Sequence, residues 1–69
     1  MQVRESIRLL RTLIAFLRAM FDFIGQMQEE LTFSAGDVLT IHRSLGAEWY
    51  EGELNGRIGI FPTNYVELL

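Results

Sequence analysis

Few residues in this chain can take part in chemistry. His42 is its only histidine, and cysteine and lysine are absent. No serine lies near a plausible base, so neither a nucleophile nor an acid/base pair can be assembled from local motifs. Glu29 and Glu30 are adjacent, and neighbouring side chains tend to point apart instead of flanking one bond as paired catalytic carboxylates do. Gly52, Gly56 and Gly59 punctuate strand-like sequence, with no following helix whose amino end could hold a phosphate. The chain is therefore read as non-enzymatic, with no cofactor and no metal site. What remains are flat aromatic side chains, Phe21, Phe23, Trp49 and Tyr65, and the carboxylates of Glu29, Glu30 and Glu48. Such groups recognise by contact and charge.

The elements that position them must fit in 69 residues, 49% of them hydrophobic, which allows one small domain with a modest core. Without cysteine there is no disulfide or thiolate zinc site to stabilise it, so a well-packed β-barrel is the economical solution. The same lack of cysteine is compatible with a reducing cytoplasm. The net charge of −3 is unevenly spread: residues 1–18 carry four arginines against one glutamate, and residues 19–69 carry two arginines against eight carboxylates. An acidic body of this kind repels a phosphate backbone and favours a cationic peptide over nucleic acid.

Residues 1–16 form the first segment. Val3, Ile7, Leu10, Ile14 and Leu17 recur at helical spacing with arginines opposite, which predicts a basic amphipathic helix from Met1 to Phe16, or else a disordered tail. Its apolar run Leu13 to Leu17 is too short to span a bilayer. At about sixteen residues the helix is marginal alone, so it needs a surface: the domain body, a second copy, or an anionic membrane. A structural or membrane-associating role through this segment is the alternative function.

Residues 17–69 read as short strands. Leu39 and Ile41 alternate with Thr40 and His42 in the strand Val38 to Arg43, after a turn at Ser34-Ala35-Gly36-Asp37. Trp49 to Leu54 and Arg57 to Phe61 flank Asn55-Gly56, a pair that readily takes the positive φ angles of a two-residue type I′ hairpin turn. Pro62 closes that strand, Thr63-Asn64-Tyr65 makes a short turn, and Val66 resumes an extended edge. Leu31, Phe33, Leu39, Ile41, Ala19, Phe61 and Val66 are the expected core.

Four runs in order carry a resemblance: Ala19-Met20-Phe21-Asp22-Phe23; Glu30-Leu31-Thr32-Phe33 with Gly36-Asp37; Trp49-Tyr50-Glu51-Gly52; and Gly59-Ile60-Phe61-Pro62-Thr63-Asn64-Tyr65-Val66. From about Leu17 to Leu69 the chain resembles the SH3 (Src homology 3) family, most closely the domains of scaffold adaptors of the sorbin-homology and endophilin families. The resemblance implies an all-β, five-stranded, partly open barrel that binds Pro-rich peptides in cytoplasmic signalling, endocytic or cytoskeletal adaptors. It also implies a groove in which Phe21 and Phe23 line one end, Trp49 forms the central wall, and Pro62 and Tyr65 floor the other end.

Ile60 stands where many members place a further tyrosine, and both aromatics of the opening run are Phe where Tyr is commoner. Hydrogen bonding to a ligand is then expected from Trp49 Nε1, the Tyr65 hydroxyl and the Asn64 amide. Glu30 is the expected partner for a ligand arginine or lysine, with Glu48 and Glu29 beside it. The competing readings are that the aromatics are core and that the acids are solvated surface. Glu51 and Glu53 are expected to face outward along their strand.

Overall fold

The computed structural model describes residues 15–69. Five strands follow in chain order, β1 (Ala15–Ala19), β2 (Val38–Ser44), β3 (Trp49–Leu54), β4 (Arg57–Pro62) and β5 (Val66–Leu68), with one 3-10 turn over Thr63–Tyr65. They form an antiparallel sheet in the order β4-β3-β2-β1-β5. The expected all-β fold is the one observed. A long loop between β1 and β2 doubles back through an antiparallel bridge between Phe23 and Phe33 and lies on β4 through a parallel bridge between Glu30 and Ile60.

That curvature encloses one core, in which Leu17, Ala19, Leu31, Phe33, Leu39, Phe61 and Val66 are buried. Strand parity explains the selection: Leu17 and Ala19 of β1, Leu39 of β2 and Phe61 of β4 occupy inward positions, and the loop contributes Leu31 and Phe33. Ile41, expected in the core, is half-buried and packs against it.

Two features differ from the sequence reading. Ala15 and Phe16 belong to β1, inside the stretch whose spacing suggests helix, because Ala15 pairs with Ile41, Phe16 with Thr40 and Leu17 with Leu39. Leu17 satisfies both periods, and its burial at 3% exposure shows which the sheet uses. The remainder of the amphipathic segment, residues 1–14, lies outside the described residues, and so do the membrane-surface and self-association readings attached to it. The second difference is a register shift between Ile41 and Arg43 in the β2–β3 pairing. The extra residue allows both His42 and Arg43 to face solvent, where they meet Glu53 (3.5 Å) and Glu51 (2.9 Å). Glu51 and Glu53 therefore serve the outer face of the sheet.

The β3–β4 hairpin runs in unbroken register from Trp49↔Pro62 to Leu54↔Arg57. At its tip Asn55 and Gly56 both have positive φ, 51° and 84°, the requirement of a type I′ turn. Gly56→Ala places a Cβ in this left-handed region and is expected to destabilise the domain by roughly 1–2 kcal/mol, read as a lower midpoint in urea unfolding.

Candidate functional site

The opening aromatic run begins where β1 ends. Ala19 is buried, and the Met20 amide donates to the Tyr65 carbonyl (2.8 Å), so the chain leaves the barrel beside the 3-10 turn. Phe23 is fixed by paired backbone bonds with Phe33, 2.9 Å in each direction. Its ring is half-buried between core and surface, 5.5 Å from that of Phe33 and 5.3 Å from that of Tyr65. Phe21 is 55% exposed and meets Tyr65 edge-on at 5.9 Å. Between them, Asp22 accepts the Ala35 amide through Oδ1 (2.8 Å), tying the base of the loop. Phe21, Phe23 and Tyr65 thus form one partly exposed aromatic cluster.

Trp49 opens β3 directly opposite Pro62. Phe61 points inward and is fully buried, so Pro62 takes the opposite parity and shares its face with Trp49 and Ile60. A concavity of about 410 Å³ lies there, lined by Ala47, Glu48, Trp49, Pro62, Thr63 and Asn64. Thr63 holds its two sides together: its Oγ1 donates to the Ala47 carbonyl (2.8 Å) and its amide to the Glu48 carbonyl (2.9 Å). The short turn from Pro62 to Tyr65 connects this concavity to the aromatic cluster, so the two groups are adjoining parts of one surface.

The three candidate carboxylates are arranged differently. Glu48 lines the concavity and is exposed, as is Glu29. Glu30 is half-buried, and its Oε1 accepts the Gln26 amide at 2.8 Å, which pins the side chain within the loop. The ion pairs among the described residues are Arg18–Glu67 and Arg43–Glu51, and His42 Nε2 lies 3.5 Å from Glu53 Oε1. Glu29, Glu30 and Glu48 are in none of them.

Residues 16–69 match the model of the variant SH3 domain. The chain belongs to the SH3 family. SH3 domains are non-catalytic peptide-binding modules. Over 52 residues, 75% of this chain, it is 50% identical to sorbin and SH3 domain-containing protein 2 of Homo sapiens and 46% identical to endophilin-A1 of Mus musculus. It spans 5% and 15% of the length of those relatives. The C-terminal SH3 domain of myosin IB from Entamoeba histolytica, solved bound to a peptide, superposes with a TM-score of 0.80 at 34% identity, covering 84% of this chain and 97% of that one. No helix among the described residues is long and apolar enough to cross a membrane.

Sequence reasoning missed the SH3 residues that hold the site in place. Asp22 and Thr63 act through bonds to loops thirteen and sixteen residues away, and Arg57 through bonds to residues 27 and 29 positions away. A polar residue set between two aromatics, as Asp22 is, was the one available signal. Nothing local marked Thr63 or Arg57.

Proposed function

We propose that this SH3 domain binds proline-rich segments of other proteins that carry an arginine or lysine, with Phe21, Phe23, Trp49, Pro62, Asn64 and Tyr65 as the groove and Glu30, Glu48 and Glu29 as the partners of the cation. The observation that carries this is the concavity between Trp49 and Pro62, joined through the Pro62–Tyr65 turn to the half-buried ring of Tyr65 and the exposed ring of Phe21 against it. A polyproline II ligand is already extended and loses little entropy on docking, and its ridges fit between flat aromatic faces. With Ile60 in place of a tyrosine, orientation of the ligand falls to Trp49 Nε1, the Asn64 amide and the Tyr65 hydroxyl. A contact this small supports affinities on the order of micromolar and rapid exchange of partners. The setting we propose is a cytoplasmic adaptor at cytoskeletal or endocytic scaffolds.

Titration with a Pro-rich, Arg-containing peptide is expected to change Trp49 emission and to shift the amide signals of Trp49 and Tyr65. Silence in both signals across a broad proline-peptide library removes the proposal. The charge contribution has a separate test. Glu30→Gln keeps an oxygen that can accept the Gln26 amide and removes only the negative charge. Affinity for the Arg-bearing peptide is expected to fall roughly three- to tenfold, with a smaller change for a neutral proline peptide and a narrower gap at high salt. Equal losses for the two peptides would falsify the assignment of Glu30.

A further inference from the structure

Arg57 opens β4 and is exposed, and among the described residues its guanidinium pairs with no carboxylate. Its Nη2 donates to the carbonyl of Gln28 at 2.8 Å and, more weakly, to that of Glu30 at 3.4 Å. The carbonyl between them, on Glu29, accepts the Ile60 amide at 2.9 Å. Three consecutive carbonyls of the loop are therefore turned to β4, two bound by one guanidinium and one by the strand backbone. The Leu31 amide completes the seam by donating to the Ile60 carbonyl at 2.9 Å. Gly59 allows the close approach, since a Cβ there would lie 2.7 Å from the Glu29 carbonyl oxygen.

A guanidinium next to two glutamates ordinarily pairs with carboxylate, because charge-assisted, bidentate bonds are the strong ones. Here the ion pairs among the described residues do not include Arg57. We infer that Arg57 is a positioning residue for charge recognition: it clamps the backbone of Gln28 and Glu30, holding the Glu29 and Glu30 carboxylates for a cationic ligand without neutralising them. This rests on the proposed recognition of Arg-bearing proline peptides, and it adds a residue with no ligand contact of its own.

The inference can be separated from simple electrostatics by sign. As a bare positive charge near the acids, Arg57 would repel a cationic ligand, and its removal would tighten binding. As a clamp, its removal lets the loop drift and weakens binding. Arg57→Met retains much of the side-chain length and removes both charge and donors. Arg57→Lys keeps the charge and can still donate to the Gln28 carbonyl.

The expected result for Arg57→Met in the full chain is a roughly three- to tenfold weaker dissociation constant for the Arg-bearing peptide. The neutral proline peptide is expected to change less than about twofold, and Arg57→Lys to recover most of the loss. In the free protein, amide hydrogen exchange at Glu30 and Leu31 is expected to speed up in Arg57→Met and not in Arg57→Lys. Unchanged or tighter binding of the Arg-bearing peptide by Arg57→Met overturns the clamp. Equal weakening of both peptides overturns it as well, since that marks general support of the fold. If the unmutated chain binds both peptides equally, the charge reading itself has failed, and that outcome is visible before any variant is made.

Discussion

Trp49→Ala is expected to leave the barrel folded and to raise the dissociation constant for a Pro-rich, Arg-bearing peptide by roughly 30- to 1000-fold, about 2–4 kcal/mol. From a micromolar starting point, that takes binding to the limit of detection. The argument rests on where the indole sits. Trp49 is half-buried and lines the concavity opposite Pro62, and among the described residues it joins none of the aromatic pairs that knit the core. Phe61, by contrast, is fully buried and packs against both Phe33 and Tyr50. Amide spectra of the variant should keep their dispersion and stop responding to peptide. A collapsed spectrum would place Trp49 in the core instead.

Gly52→Ala should have the opposite character, with the fold lost and binding lost only as a result. Gly52 is buried in β3, paired with Ile41 on one side and Gly59 on the other. A Cβ at this position would fall deep inside contact distance of the Thr40 backbone oxygen and 3.0 Å from Phe61 Cε1. Side chains can rotate away from such a contact, but a backbone oxygen in the sheet can move only if the strands separate. The cost is expected to be about 3 kcal/mol or more, against a total of only about 3–5 kcal/mol for a core of this size. Circular dichroism should therefore show a largely unfolded chain at room temperature. The loss expected for Gly56→Ala is milder, since a Cβ at Gly56 meets nothing within 4 Å and carries only the cost of its backbone angle.

The features legible in the sequence were those set by local chemistry. Asn55-Gly56 specifies its turn within two residues, and the alternation through Leu39 places the core face of β2. Pro62 ends β4 where its missing amide requires. The start of β1 was not legible in this way: apolar residues from Leu13 to Leu17 suit a helix and a strand alike, and only pairing with Thr40 and Leu39 settles the choice. Nor does alternation foresee the bulge at His42, which turns Arg43 outward to meet Glu51. Phe21, Phe23, Trp49 and Tyr65 stand out in the sequence by type and order, while the bonds from Asp22, Thr63 and Arg57 that hold the loops around them span thirteen to 29 residues of sequence. No local signal reaches that far.

The pairing of β1 with β5 has a mechanical consequence. The two strands are antiparallel, and the Leu69 amide donates to the Phe16 carbonyl, which sets the start of β1 beside the end of β5. Tension applied through those ends loads this bond first, then the pairing of Leu17 with Leu68, and then that of Ala19 with Val66, one rung after another. β5 is an edge strand held by β1 alone, so it peels like a zipper instead of resisting in shear. Pulled apart at these two points, the domain should yield at low force, and the first strand lost is the one that follows Tyr65, so the Phe21–Phe23–Tyr65 cluster loosens before the β3–β4 hairpin bearing Trp49 is disturbed.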